Sequence, residues 1–180
     1  GQLDPQTGDV VEYPMPDPAV SDPHTPIFDQ KGVLWFTAQN ANYVGKLDPA
    51  SGEVTVKELA TANAMPHGIA ISQNGIPFFD MSGTNKIGRI DPETMKITEY
   101  VLPEGARPRR IAVTDDDTVW YTDLARGLLG RLDTATGQVE EFSSPGGSES
   151  EPYGIAATSD GVIWYSESGV RPNTLVRFDP

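Results

Sequence analysis

Apolar and polar residues alternate along the chain in short runs, and the runs recur in the same order. In the copy that begins at Pro66, the first run ends at the turn signal Asn74-Gly75, where both residue types tolerate positive φ. A proline-containing turn, Asp91-Pro92-Glu93-Thr94, separates the last two runs, whose polar and apolar residues alternate as in half-buried strands. No ten-residue window has apolar residues at helical spacing. The pattern therefore predicts four short antiparallel strands, named A to D, at 68–72, 76–81, 86–90 and 96–102.

Three kinds of residue mark one period. The prolines that open the copies recur at intervals of 43, 42 and 44 residues, at Pro23, Pro66, Pro108 and Pro152. The aromatic residues of strand B recur at the same intervals, at Trp35, Phe78, Trp120 and Trp164. The aspartates of the last turn recur at 43, 42 and 46 residues, at Asp48, Asp91, Asp133 and Asp179. A four-stranded unit with a period of roughly 40 to 50 residues is typical of a propeller blade.

The sequence thus predicts an all-β protein, a β-propeller of four-stranded antiparallel blades with strand A at the axis and strand D at the rim. We expect residues 1–180 to form a single propeller domain or section with repeats at 23–65, 66–107, 108–151 and 152–180. Residues 1–16 match the end of a strand C, its turn and a strand D.

Two arrangements of the chain ends satisfy this pattern. Strand D at 10–14 could pair with strand C at 174–178 and close a ring of four blades. Alternatively, the chain is a section of a larger propeller. Its incomplete terminal blades would then have free sheet edges. Such a section would need the missing blades, or self-association, to cover those edges.

Charge and composition exclude several classes of function. With 13 basic and 26 acidic side chains the net charge is −13, which argues against nucleic acid and anionic membrane surfaces but permits metal ions. No run of about 18 apolar residues is present, so we expect no membrane insertion. The chain has no cysteine, which excludes disulfides and thiol chemistry and is compatible with export. We expect a periplasmic or secreted protein, although no signal peptide is visible at Gly1.

Candidate binding residues lie where strand A begins, because the antiparallel strand B ends beside it. The residue after each opening proline differs between copies, while the apolar positions are kept. Such variation at a fixed place suits an asymmetric ligand or a solvent-lined channel. The predicted ligand-binding residues are His24, His67, Arg109, Arg110, Tyr153 and Asp80.

Other readings of these residues remain open. The two histidines, with Asp80 or Glu167, could ligate a metal ion, but no recognised ligand spacing is present. Arg109-Arg110 could hold a carboxylate or a phosphate, or could form an internal ion pair with Asp123. The run 115–117 of three aspartates falls in an A-to-B turn, so we interpret it as a solvated hairpin turn.

At PHGIAISQNGIPFF, LWFTAQNANYVGKLDP and VIWYSESG…LVRFDP the chain resembles the virginiamycin B lyase family, also called streptogramin lyases. The resemblance extends over essentially the whole chain. It implies a seven-bladed propeller. It also implies a carbon–oxygen lyase that opens the ester ring of streptogramin B antibiotics by elimination, with a magnesium ion and without adding water.

The family's catalytic glutamate and histidine follow the strand-B aromatic residue in a Trp-Phe-Thr-Glu-x-His arrangement. Carried over position by position, the glutamate position of the last copy holds Glu167. In the third copy it holds Asp123, which also carries a carboxylate. No histidine occupies the histidine position in any copy, where Asn40, Gly83, Ala125 and Gly169 stand instead. The resemblance thus implies Glu167 and Asp123 as catalytic residues and a Mg or Ca ion as a cofactor.

Two hypotheses follow. The first is a propeller without catalysis in this section, which binds a small molecule or a protein or serves as a scaffold. The alternative is a magnesium-assisted carbon–oxygen lyase acting on a cyclic ester of the streptogramin B type.

Overall fold

A computed structural model describes residues 1–180 and contains 17 β-strands. The chain begins with a two-stranded hairpin of β1 (Gln2–Leu3) and β2 (Val10–Val11). Four antiparallel sheets then follow in chain order, three with four strands and the last with three. The prediction of an all-β fold built from repeated four-stranded units is confirmed. The structure has no helix with the length and apolarity that a membrane crossing requires.

Each sheet contains consecutive strands that pair with their sequence neighbours. The first sheet comprises β3 (Pro23–Phe28), β4 (Leu34–Ala38), β5 (Tyr43–Asp48) and β6 (Glu53–Glu58). The second comprises β7 (Pro66–Ile71), β8 (Pro77–Met81), β9 (Lys86–Ile90) and β10 (Ile97–Val101). The third comprises β11 (Pro108–Val113), β12 (Val119–Asp123), β13 (Leu128–Leu132) and β14 (Val139–Ser143). The fourth comprises β15 (Pro152–Ala157), β16 (Ile163–Glu167) and β17 (Thr174–Phe178). We call these sheets blades 1 to 4.

Aspartate side chains shape the turn between the third and fourth strands of a blade. In blade 1, Asp48 Oδ1 accepts a hydrogen bond from the Ala50 amide at 2.9 Å, and Gly52 completes the turn with φ of 75°. Asp4 does the same before β2, where its Oδ1 accepts from the Gln6 amide at 2.8 Å. This local bonding is the Asx turn that the Asp-Pro sequences favour. The β1–β2 hairpin therefore has the same turn as the C-to-D hairpin of a blade.

The core lies between adjacent blades. Trp35 of blade 1 packs in one cluster with Ile69 and Phe79 of blade 2. The equivalent residue of blade 2, Phe78, packs with Tyr121 of blade 3. The innermost strands β3, β7, β11 and β15 contact one another in that order, which places strand A of every blade at the axis.

The structure decides between the two arrangements of the chain ends. β2 pairs only with β1, and β17 pairs only with β16, so the ring of four blades is not closed by pairing of these segments. The outer face of blade 4 is uncovered: Trp164 is 39% exposed, whereas Trp35 and Trp120 at the equivalent positions are 1% and 2% exposed. The fold is that of an open section of a propeller.

Candidate functional site

Each strand A contains an irregularity directly after its opening proline. The pairing register with strand B shifts between Pro66 and Ile69 in β7, and between Pro108 and Arg110 in β11. Equivalent shifts occur in β3 and β15. A bulge bends the strand and turns the side chains of the extra residues away from the regular ladder. The residues at these bulges include the four that the sequence predicted: His24, His67, Arg109 and Tyr153.

The bulge residues of all four blades meet at the axis. The imidazole centroids of His24 and His67 are 4.5 Å apart, and the His67 ring meets the Tyr153 ring edge-on at 6.3 Å. The guanidinium carbons of Arg109 and Arg110 each lie 5.7 Å from the centre of the Tyr153 ring. We call these five residues the axial cluster. The predicted convergence of residues from separate repeats is present in the structure.

Hydrogen bonds fix the cluster across the blades. Arg110 Nη1 of blade 3 donates to Thr25 Oγ1 of blade 1 at 3.2 Å. His24 Nδ1 lies 2.9 Å from the same hydroxyl oxygen. The His67 ring is 1% exposed, and its Nδ1 donates to the Arg109 carbonyl at 2.9 Å. Thr25 was not predicted as a site residue, because a single threonine after a histidine carries no sequence signal.

His67 is held neutral. Burial of the ring, followed by the positive charges of Arg109 and Arg110 and by His24, lowers the pKa of His67 from 6.5 to about 4. At neutral pH the ring therefore offers one donor and one acceptor and no charge. With Nδ1 committed to a carbonyl, Nε2 is the nitrogen left to accept.

Asp80, the sixth predicted binding residue, lies buried at the end of β8. Its Oδ2 accepts from the Gly68 amide at 2.8 Å, whereas Oδ1 has no hydrogen-bond partner within the protein. Burial raises the pKa of Asp80 well above its usual value, against the lowering effects of the Gly68 amide and the two arginines. The carboxyl group of Asp80 is thus close enough to Arg109 and Arg110 for their positive charges to act on its pKa.

Thr37 and Thr122 occupy the position of Asp80 in blades 1 and 3. Their hydroxyls donate to the next blade's strand A, to the His67 carbonyl at 2.9 Å and to the Tyr153 carbonyl at 2.8 Å. Asp80 makes no such bond, and the imidazole of His67 bonds the corresponding carbonyl of Arg109 instead. Sequence reasoning missed this inter-blade linkage, although the repeated Thr after the strand-B aromatics was a usable signal.

Glu167 lies outside the axial cluster. The carboxylate is 2% exposed and accepts hydrogen bonds from Ser144 Oγ and the Gly146 amide, both at 2.7 Å, and from Thr174 Oγ1. Burial raises the pKa of Glu167, but these hydrogen bonds outweigh it and leave the pKa below its ordinary value. Glu167 therefore connects blade 4 to the loop that enters it.

Asp123 has a similar position in blade 3. It accepts from the backbone amides of Arg107, Ala125 and Arg126, at 3.1 to 3.2 Å, and from Arg126 Nε at 2.7 Å. The alternative ion pair of Asp123 with Arg109 or Arg110 is wrong, because Arg126 occupies its carboxylate.

The structure also bears on the metal hypothesis. Within residues 1–180, no group of three or more His, Asp or Glu side chains is arranged to hold a metal ion. The aspartates of 115–117 form a hairpin turn as expected, in which Asp116 Oδ1 accepts from the Thr118 amide at 3.2 Å.

Comparisons with known proteins agree on the fold. The family model described as "Virginiamycin B lyase family" matches residues 1–175. A crystal structure of selenomethionine-substituted virginiamycin B lyase from Staphylococcus aureus is 28% identical with a TM-score of 0.83, covering 98% of this chain and 61% of that one. A catalytically inactive variant of that enzyme with quinupristin is 27% identical with a TM-score of 0.81, covering 97% and 60%.

The other comparisons give a more distant structural match and no match among curated sequences. Hydrazine synthase from Kuenenia stuttgartiensis, at 15% identity and a TM-score of 0.76, shares the fold alone. No curated protein sequence gives a significant match. The chain spans about 60% of the length of the solved virginiamycin B lyases it resembles.

Proposed function

The chain belongs to the virginiamycin B lyase family, and on that premise we propose that it is a binding propeller whose ligand contacts the axial cluster. The observation that carries the proposal is the convergence of His24, His67, Arg109, Arg110 and Tyr153, contributed by all four blades. The ligand is a small molecule, or a protein segment of comparable size.

Differences between the blades support this proposal. The strand-B aromatic residues that build the core are Trp, Phe, Trp and Trp, whereas the bulge positions hold two histidines, an arginine and a tyrosine. A position that only supported the fold would have no reason to change its chemistry from blade to blade. Polar groups of different type around one axis suit a ligand without rotational symmetry.

The two histidines provide the experiment, because their imidazole Hε1 signals are the only ones of their kind in the proton NMR spectrum. We expect binding compounds from a small-molecule panel that includes quinupristin to shift both signals and to raise the melting temperature. His67→Ala and Arg109→Ala should abolish the stabilisation, while Arg131→Gln on the third strand of blade 3 should leave it intact. Unchanged melting shifts in the axial variants would refute the proposal.

Lyase activity is the second candidate, favoured by the 28% identity to a virginiamycin B lyase. In this chain Glu167 and Asp123 would supply its carboxylates. Abstraction of a proton needs a base whose pKa is near the working pH, and the pKa of Glu167 is below its ordinary value. Glu167 would therefore be a weak base in the geometry described here.

Chromatography after incubation with a streptogramin B and magnesium chloride tests the alternative. The lyase hypothesis predicts a ring-opened product, formed by the full-length protein and lost in Glu167→Gln. Intact antibiotic after prolonged incubation with the full-length protein would refute it.

Blades 1 and 4 each have an exposed aromatic side chain on the face that no other blade of this chain covers. Trp164 on blade 4 is 39% exposed, and Phe28 on blade 1 is 60% exposed. We propose that further blades of the same fold cover these faces, with Trp164 packed as Trp120 is against blade 4. Light scattering on the isolated chain separates this proposal from self-association: a monomer supports it, and a stable dimer that buries Trp164 contradicts it.

A further inference from the structure

Two arginines of the axial cluster have no carboxylate partner. Arg109 and Arg110 lie beyond salt-bridge distance of every acidic side chain, although the chain carries 26 acidic residues. By contrast, Arg126 pairs with Asp123 and Glu141. Two adjacent uncompensated guanidinium groups are therefore a property of the axis in an otherwise acidic protein.

Part of the hydrogen-bonding capacity of the two arginines is also unused. Arg110 Nη1 donates to Thr25 Oγ1, while Arg109 Nε is buried and has no acceptor within the protein. Both groups lie 5.7 Å from the centre of the Tyr153 ring, which holds them near each other without neutralising them. A buried donor without an acceptor is costly, so an acceptor from outside the chain would stabilise Arg109 Nε.

Neighbouring titratable groups leave this positive charge in place. The groups that face the arginines are His24, His67 and Asp80. Burial and the arginine charges lower the pKa of His67 to about 4, and burial raises the pKa of Asp80 well above its usual value. His67 adds no charge of its own at neutral pH, and the tendency of Asp80 to ionise is reduced.

We propose that Arg109 and Arg110 form an oxyanion subsite, which binds a carboxylate or phosphate group of the ligand. The proposal rests on the proposed function and specifies the chemistry of that ligand. The planar guanidinium group matches both anions because two of its N–H groups can donate in parallel to two oxygens. The anion would occupy the side of the arginines that Thr25 and Tyr153 leave free, with neutral His67 beside it.

Isothermal titration with inorganic phosphate and, separately, sodium acetate tests the subsite at constant ionic strength set by chloride. We expect saturable binding of at least one anion, weakened about tenfold or more in Arg109→Gln and in Arg110→Gln. The stronger anion identifies the source as phosphate or carboxylate. Arg131→Gln is the matched control, because Arg131 also lies over an aromatic ring, at 5.8 Å from that of Trp120, but is ion-paired with Glu140. Its affinity should equal that of the unmodified chain.

Proton NMR adds a second readout. A bound anion should shift the His67 Hε1 signal and raise the pKa of His67, because it offsets the arginine charges. If a glutamine variant fails to fold, Arg109→Lys keeps the charge and should still weaken binding by losing the planar donor pair. Lack of binding by both anions would overturn the subsite. If an uncharged compound still shifts the histidine signals, the proposed function survives and only the anion subsite is refuted.

Discussion

The third strand of blades 1 to 3 carries a glycine under an aromatic ring, and replacing one such glycine tests the packing of the blades. Gly88 pairs in register with Phe79, which is fully buried between blades 1 and 2. A Cβ at Gly88 would lie 2.1 Å from Phe79 Cζ and 2.3 Å from Cε1. The ring cannot stay where it is if position 88 carries a side chain.

We expect Gly88→Ala to destabilise the protein by about 1 to 2 kcal/mol. Overpacking of a core costs about 1–3 kcal/mol, and the reduced freedom of alanine in the unfolded chain returns about 0.4–1 kcal/mol. For a chain of this size, each kcal/mol lowers the melting temperature by about 2–4 °C. The expected decrease is therefore about 2–8 °C, measured by circular dichroism at 222 nm or by calorimetry.

Gly154→Ala is the matched control. A Cβ at Gly154 would meet Ser166 Oγ at 3.4 Å, an ordinary contact. Thr25 and Arg110 occupy the equivalent bulge position in blades 1 and 3, so a side chain is accommodated there. We expect no loss of stability in this variant. Equal melting temperatures for Gly88→Ala and the unmodified chain, or equal losses in both variants, would refute the packing described here.

Three further predictions concern buried groups. Asp80→Asn should raise the melting temperature at pH 7, because the raised pKa of Asp80 means that its ionisation costs free energy of folding. The difference from the unmodified chain should shrink as the pH falls toward 4. A difference that stays constant with pH would contradict this prediction. Acrylamide should quench one tryptophan readily, and Trp164→Phe should remove that component; equal quenching after the substitution would contradict the exposure of 39%. Glu167→Gln should lower the free energy of unfolding in urea by about 1–3 kcal/mol, because the amide cannot accept hydrogen bonds from all three donors. Glu149→Gln on the surface should cost nothing measurable. Equal stability of the two variants would argue against the loop-connecting role.

The sequence was sufficient for the fold because its signals are local and repeated. The Asp-Pro turns, the strand-B aromatics and the opening prolines each specify a short stretch of backbone, and four copies make an accidental match implausible. The same signals explain the axial cluster: strand A follows a proline in every copy, and the innermost strands meet at one axis.

Sequence reasoning missed hydrogen-bond partners that are set by loops and turns, and it missed the bulges in strand A. The carboxylate of Glu167 is occupied by Ser144 and Gly146, which lie more than twenty residues earlier in the chain. Asp123 pairs with Arg126 rather than with Arg109 or Arg110, because its own turn brings Arg126 back to it. The bulges in strand A leave no mark in the hydrophobic pattern, since one extra residue shifts the register without changing the residue types.

The contact between His24 and His67 tests the central claim most directly. These residues are 43 positions apart in sequence, on different blades, and their ring centroids are 4.5 Å apart only if the first strands of blades 1 and 2 meet at a common axis. A nuclear Overhauser spectrum at neutral pH should show cross-peaks between the two imidazole rings, and weaker ones from His67 to the ring of Tyr153. Well-resolved histidine signals without cross-peaks between them would contradict the radial arrangement and the axial site built on it.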